Sequence, residues 1–159
     1  MKPYHSNLFV VFLFITVASS CKNPQNSVIK YIDVCDYISP EICSKSDSIN
    51  MLVYNSTQIA YSIKDRGIEY SVCLNKFNKI TRLYAQDKNF KLGNLKVGMP
   101  YSSIPKEFII KEYYVEGFSY EVELKKGWEA HFWDDRIRDS SKIYEEAPIR
   151  YFLKTSDCE

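Results

Sequence analysis

The sequence has few glycines and almost no charge imbalance. Its 159 residues include 5 glycines, against 13 tyrosines and 9 phenylalanines. A composition this poor in glycine and rich in aromatic residues argues against disorder and favours β-strands. Lys and Arg together number 21 and Asp and Glu 20, so no basic field attracts phosphate backbones. The composition predicts a folded, β-rich protein that does not bind nucleic acid.

The short motifs that mark common enzymes are also missing. The chain has no GxSxG elbow, no HExxH, no phosphate-binding loop and no dinucleotide fingerprint. A histidine-based mechanism would have to use His131, but a lone strand histidine beside a carboxylate such as Glu129 is usually a structural residue. Asp134 and Asp135 are adjacent and point apart, which disfavours paired-carboxylate glycoside chemistry. We therefore expect no catalytic residues, no cofactor and no enzymatic activity.

The apolar run at the amino terminus is too short to span a membrane. It covers ten residues, Leu8 to Val17 (LFVVFLFITV), and ten helical residues rise about 15 Å, half of a roughly 30 Å hydrocarbon core. A start with one lysine and no acid precedes the run, and the small residues Ala18, Ser19 and Ser20 follow it. This order is typical of a secretory signal, so residues 1–20 are predicted to be a removed signal peptide.

The residues Ala18-Ser19-Ser20-Cys21 resemble the lipobox of bacterial lipoproteins, although the first position is more often Leu in that family. The resemblance implies that the Cys21 thiol is diacylglycerylated, that cleavage occurs just before it, and that the new amino terminus is acylated. Acyl chains hold a protein at a membrane with about 0.8 kcal/mol per buried CH₂. Lys22 in place of Asp after the cysteine implies the outer membrane, facing the periplasm. The alternative is an ordinary secreted protein cut near Ser20 with an unmodified Cys21.

The five cysteines are an odd number, which in an exported chain requires an explanation. With Cys21 as the lipid site, Cys35, Cys43, Cys73 and Cys158 remain as an even set that an oxidising periplasm would pair. Three connectivities are possible, of which we favour Cys35 with Cys43 and Cys73 with Cys158. Zinc is the competing use of four cysteines, but no CxxC pair is present and the separations are wide. We therefore predict disulfides and no metal site.

The mature chain is predicted to be one domain on a tether. Residues 21–27 comprise the lipidated cysteine and a polar spacer, and residues 28–159 form the domain. Within it, two blocks of about 28–90 and 91–159 each combine a short helix with alternating apolar strands. The expected strands cover residues 59–63, 68–74, 79–85, 109–115, 118–124, 128–134 and 149–154. The predicted fold is α+β, with short helices on a largely antiparallel sheet stapled by disulfides.

The second block opens with Val97-Gly98-Met99, a turn leading into a helix and then antiparallel strands. This arrangement resembles small envelope lipoproteins, including the outer-membrane assembly-platform accessory family and the β-lactamase-inhibitor-protein family. Pro105 within the expected helix departs from the usual pattern. The resemblance implies a sheet that binds another protein without catalysis, and it names no partner.

Aromatic residues supply the candidate interface. Trp128 and Trp133 fall on opposite faces of one strand, so a sheet covered on one side cannot bury both. Accessible aromatics beside polar groups are frequent interface anchors, and we select Tyr114, His131 and Trp133. The alternative is that helices or the 134–147 connector cover them.

We expect a periplasmic inhibitor or immunity protein against a toxin or hydrolase. The alternatives are an outer-membrane assembly or cell-wall scaffold accessory, and an unrecognised hydrolase.

Overall fold

A single antiparallel sheet of eight strands dominates the computed structural model, which describes residues 32–53 and 56–158. The sheet strands are β1 Ser48–Val53, β2 Ser56–Asp65, β3 Ile68–Leu74, β4 Ile80–Ala85, β7 Ile109–Val115, β8 Ser119–Leu124, β9 Trp128–Phe132 and β10 Tyr151–Thr155. A separate hairpin pairs β5 Lys91–Leu92 with β6 Leu95–Lys96. The helices are α1 Pro40–Lys45 and α2 Asp135–Ser140, with three-residue 3-10 turns at Tyr101–Ser103, Lys106–Phe108 and Lys125–Gly127. The signal peptide, Cys21 and the tether lie outside the described residues.

The sheet consists of two meanders joined at its centre. The strand order is β1-β2-β3-β4-β10-β9-β8-β7, so each meander runs from one edge of the sheet inward. Their last strands, β4 and β10, pair antiparallel with Tyr84 opposite Leu153. The order is therefore the same from either edge. These elements belong to one compact unit.

Local chemistry accounts for the hairpins and the strand faces. The two central residues of the β2–β3 turn, Arg66 and Gly67, both have positive φ (50° and 82°), as a type I′ turn requires. This turn sets Asp65 opposite Ile68. In β8, Val122 and Leu124 are buried on the same face two positions apart, because side chains alternate along a strand.

The fold is mostly β, which corrects the expected balance of helix and sheet. The two α-helices have six residues each. The helix expected after Val97-Gly98-Met99 is instead two separate 3-10 turns, with the extended residues Ile104 and Pro105 between them. A proline disfavours helical geometry in the residue before it and removes a backbone donor, so the helix cannot continue through this point.

One face of the sheet, here called the inner face, packs against a covering layer. Residues from outside the eight strands complete its core, namely Ile38, Phe90, Leu95, Ile104, Ile137, Ala147 and Ile149. The residues 134–147, expected to be a charged connector, form α2 and a loop of this layer. Asp134 caps α2 by accepting a hydrogen bond from the Ile137 amide at 2.9 Å. Within the described ranges no helix is long and apolar enough to cross a membrane.

The disulfide links Cys35 to Cys158, across 123 positions. The favoured pairing of Cys35 with Cys43 and Cys73 with Cys158 was therefore wrong. Cys43 and Cys73 are free thiols. They lie on opposite sides of the sheet, since Cys43 packs against the inner core and Cys73 belongs to a cluster on the other face. Burial raises the pKa of the Cys73 thiol, although the charge of Arg82 opposes the shift.

Candidate functional site on the outer face of the sheet

The other face of the sheet, here called the outer face, carries a hydrophobic cluster built from the side chains of the strands themselves. Its hydrophobic cluster comprises Ala60, Cys73, Tyr84 and Leu153, with Met51 and Tyr151 packed against them. All six belong to strands of the eight-stranded sheet. Among residues 32–53 and 56–158, no loop or helix contributes to this cluster, in contrast to the inner core. Within the part of the chain that the structure describes, no second layer covers the outer face.

A row of polar and aromatic side chains crosses the outer face on four neighbouring strands. Tyr113, Glu121, His131 and Tyr151 stand directly opposite one another on β7, β8, β9 and β10. Residues paired in register project to the same face of a sheet. The pairing therefore brings a carboxylate and an imidazole together between two tyrosines.

The imidazole of His131 lies between two carboxylates. Its Nδ1 is 3.4 Å from Glu121 Oε1, and its Nε2 is 3.2 Å from Glu129 Oε2. The ring stacks on Tyr151 with centroids 4.5 Å apart, and the residue is only 3% exposed. The Nδ1 contact is an ion pair without hydrogen-bond geometry, so Nδ1 has no hydrogen-bond partner in the described part of the chain. We call Glu121, Glu129 and His131 the carboxylate-histidine cluster.

The cluster stabilises its own charges. Burial works to lower the pKa of His131, but the negative charges of Glu121 and Glu129 and the hydrogen bond to Glu129 outweigh it and raise that pKa above its usual value. For Glu121, burial works to raise the pKa. The contacts with His131, Ser119 and Tyr113 outweigh burial, so the pKa of Glu121 is lowered. The Ser119 hydroxyl donates to Glu121 Oε1 at 2.8 Å. The geometry favours a protonated imidazole held beside an ionised carboxylate.

The same three residues carry the donor atoms of a metal site. One ligand atom from each lies within 4.8 Å of the others, and imidazole with carboxylates suits several divalent metals. However, the two ring nitrogens face different carboxylates, whereas a single ion would need one nitrogen and both carboxylates to converge on it. The arrangement therefore fits a protonated histidine better than a metal centre.

Two exposed aromatic rings lie beside the row, toward the edge where β8 begins and β9 ends. Phe118 precedes β8 and Trp133 follows β9, and their side chains are 59% and 57% exposed. Together with Ser119 and Tyr151 they line a cleft of about 350 Å³, which charged residues of the α2 region also border. The Arg150 guanidinium lies 6.0 Å from the centre of the Trp133 ring. The cleft offers large apolar surfaces with polar groups beside them.

The structure places the three residues predicted for the interface in different environments. Trp133 is exposed, as expected. His131 is buried, so the prediction of an accessible histidine was wrong; its neighbours in register enclose it. Tyr114 is half-buried and, opposite Tyr120, lies on the inner face. Its hydroxyl donates to the Arg138 carbonyl at 3.2 Å, so Tyr114 holds α2 in position and does not belong to the outer face.

Two residues of the cleft were missed from the sequence. Phe118 appeared to belong to the inner stripe of β8, but the strand begins one residue later and leaves the ring exposed. Tyr151 joins the site only because β10 pairs with β9, which sets it opposite His131. The alternation in β8 and β9 could have indicated Glu121 and Glu129 as outward-facing, but no local pattern indicates which strands are neighbours.

No family model and no curated protein matches the sequence. Among solved structures, the chain is similar to the crystal structure of the uncharacterized protein yfeY from Escherichia coli. The TM-score is 0.50 at 11% identity, over 69% of this chain and 80% of that chain. A likeness at this identity concerns the fold alone and supports the sheet-rich architecture described above.

Proposed function

We propose that this protein is a non-enzymatic, lipid-anchored protein of the bacterial envelope that binds another protein through the outer face of its sheet. Its role in this proposal is that of a periplasmic inhibitor or immunity protein against a toxin or hydrolase. The observation that carries the proposal is the outer face, which no second layer of the described residues covers and which the exposed rings of Phe118 and Trp133 border.

The chemistry of the cleft suits a protein partner. Aromatic residues are enriched in protein interfaces and supply many of the residues that dominate binding energy. Phe118 and Trp133 offer such anchors, and the exposed side chains of Asp135 and Arg138 beside them can form a polar rim. A partner seated here would bury both rings and gain the free energy of removing them from water.

The support beneath the cleft favours an inhibitor. Strands β8 and β9 each pair on both sides, and the buried carboxylate-histidine cluster connects them below the exposed rings. Inhibitors commonly bind through a surface whose backbone moves little, because a pre-organised surface loses less entropy on binding. The only histidine among the described residues is enclosed in that cluster, so we assign it a structural role.

The cellular location in this proposal depends on the sequence before the domain. Cleavage before Cys21 and acylation of its thiol would anchor the chain, and Lys22 favours the outer membrane facing the periplasm. The tether of residues 22–27 would keep the domain close to that membrane. A partner arriving in the periplasm would then meet the outer face of the sheet.

Site-specific photocrosslinking tests the proposal. A photoreactive phenylalanine analogue is placed at Phe118 or Trp133 in the full chain, and Phe77 serves as the control because it is 55% exposed on the β3–β4 turn. Cells are irradiated with and without candidate toxins or hydrolases, and crosslinked partners are identified by mass spectrometry. We expect a crosslink to such an enzyme from the first two positions only. A resident membrane complex as the partner would contradict the inhibitor role, and equal crosslinking from Phe77 would contradict the binding surface.

A further inference from the structure

A second cavity lies away from the outer face, between the β5–β6 hairpin and the 3-10 turn Lys106–Phe108. Its volume is about 300 Å³, the lower end of the range for small-molecule sites. Leu95 and Leu124 are buried side chains of its lining, and Leu92, Met99 and Phe108 add further apolar surface. The interior is therefore mainly hydrocarbon, and its lining includes no acidic side chain.

Two lysines give the cavity a positive rim. Lys125 and Lys126 both line it, in the turn between β8 and β9. The Lys125 Nζ lies 5.9 Å from the centre of the Phe108 ring, which shows that the ammonium stands beside the apolar lining. Neither lysine forms an ion pair with an acidic residue in residues 32–53 and 56–158. The rim thus carries positive charge that a ligand could neutralise.

We propose that this cavity binds a fatty carboxylate of short or medium chain length, with its chain among the leucines and its carboxylate beside Lys125 and Lys126. A neutral apolar ligand would gain no attraction from the two ammonium groups of the rim, and an alkyl cation would be repelled by them. Each additional buried CH₂ contributes about 0.8 kcal/mol, which corresponds to about fourfold in affinity. Affinity should therefore rise about fourfold per CH₂ until the cavity is filled and then level off.

Competition photolabelling measures this binding on the full chain. The protein is reconstituted in vesicles of zwitterionic phosphatidylcholine and labelled with a diazirine-bearing decanoate. Unlabelled hexanoate, octanoate and decanoate then compete, alongside octyltrimethylammonium as the chain-matched cation. We expect label in the peptides that contain Leu92, Met99 or Lys125, and at least tenfold weaker competition by the cation than by octanoate. Equal competition by the two octyl compounds, or label spread evenly over the chain, would overturn the proposal.

A pair of variants separates the rim charge from general hydrophobic binding. Lys125→Gln with Lys126→Asn removes both charges, and asparagine tolerates the positive φ of 69° at position 126. Lys76→Gln is the matched control, because Lys76 Nζ stands 5.0 Å from an exposed phenylalanine ring, that of Phe77. We expect at least a tenfold loss of octanoate competition in the double variant and none in the control. Octanoate competition that is unchanged in the double variant would refute the site. If the double variant fails to fold, the comparison of octanoate with octyltrimethylammonium on the wild type tests the role of the rim charge instead.

Discussion

The rings of His131 and Tyr151 are stacked, with 14° between their planes, across the pair of strands β9 and β10. Tyr151 covers one side of the imidazole while Glu121 and Glu129 face its two nitrogens. The protonation state of His131 is thereby linked to the packing of the outer face. A group that titrates in such a position makes stability depend on pH.

Replacement of His131 tests this linkage. Because the folded pKa of His131 lies above the unfolded value of about 6.5, its contribution is complete below pH 6.5 and is lost as the pH rises through the folded pKa. The folded pKa of Glu121 lies below the unfolded value of about 4.3, so its contribution is lost as the pH falls through the folded pKa. We expect His131→Gln to lower the free energy of unfolding by about 3 kcal/mol at pH 6, since it leaves Glu121 buried without its partner.

Urea denaturation between pH 5 and 9 measures the contribution of His131, because the change due to Glu121 lies below this range. The wild type should lose stability toward pH 9, and the variant should lose much less over the same range. Glu116→Gln is the control, because Glu116 is an exposed carboxylate on the β7–β8 turn, outside the carboxylate-histidine cluster. Parallel pH profiles for wild type and His131→Gln would contradict the role of the histidine charge.

Loss of the Cys35–Cys158 disulfide should strongly lower the free energy of unfolding. The bond closes a loop of 123 positions, and constraining so long a loop in the unfolded chain stabilises a protein by about 5 kcal/mol. Cys158→Ser should lower the free energy of unfolding by about that amount, measured by denaturation without reductant. Cys43→Ser, which removes a free thiol, should change it by less than about 1 kcal/mol. Equal effects of the two variants would argue against this pairing.

The two free thiols should differ in reactivity. Cys43 is partly exposed, whereas Cys73 is buried and has a raised pKa, and the thiolate is the reactive form. In the native chain we expect iodoacetamide to modify Cys43 and to spare Cys73, with both modified after unfolding in urea. Peptide mass mapping identifies each site. A Cys43 that stays unmodified in urea without reductant would indicate a disulfide at that position.

Substitution of Trp133 should separate binding from folding. Its side chain is 57% exposed, so Trp133→Ala should leave the melting temperature within about 2 °C. If Trp133 anchors the partner captured by crosslinking, its loss should weaken binding by about 2 kcal/mol, or roughly thirtyfold. Calorimetry with that partner measures the change. Phe77→Ala is the control, and an equal loss there would contradict a role for this cleft.

Labelled fatty acid tests the anchor predicted at Cys21. We expect incorporation of radiolabelled palmitate into the wild type and none into Cys21→Ala, because only the thiol of Cys21 follows the small residues of the lipobox. Cys43→Ala should be labelled as the wild type is. Incorporation that persists in Cys21→Ala would disprove lipidation at this residue.

Local patterns were enough to predict most of the strands. In β8, Val122 and Leu124 alternate with Glu121 and Glu123, and this period of two, which depends only on neighbouring residues, matches the two faces that the structure shows. Strand β1, Ser48–Val53 at the edge of the sheet, was not predicted, although Ile49, Met51 and Val53 alternate there with Ser48 and Asn50 in the sequence. The helix expected after Met99 was also wrong, because Pro105 interrupts it and two 3-10 turns form instead.

What the sequence by itself determined is a set of local elements, namely most strands with one apolar face and the turn at Arg66-Gly67. Only the tertiary structure decided which distant residues meet. The pairing of β10 with both β4 and β9 buries His131 under Tyr151, and the return of the chain end to residue 35 joins Cys158 to Cys35. Such contacts join residues far apart in the chain, and their free energy depends on the packing of the whole sheet, which no short stretch of sequence contains.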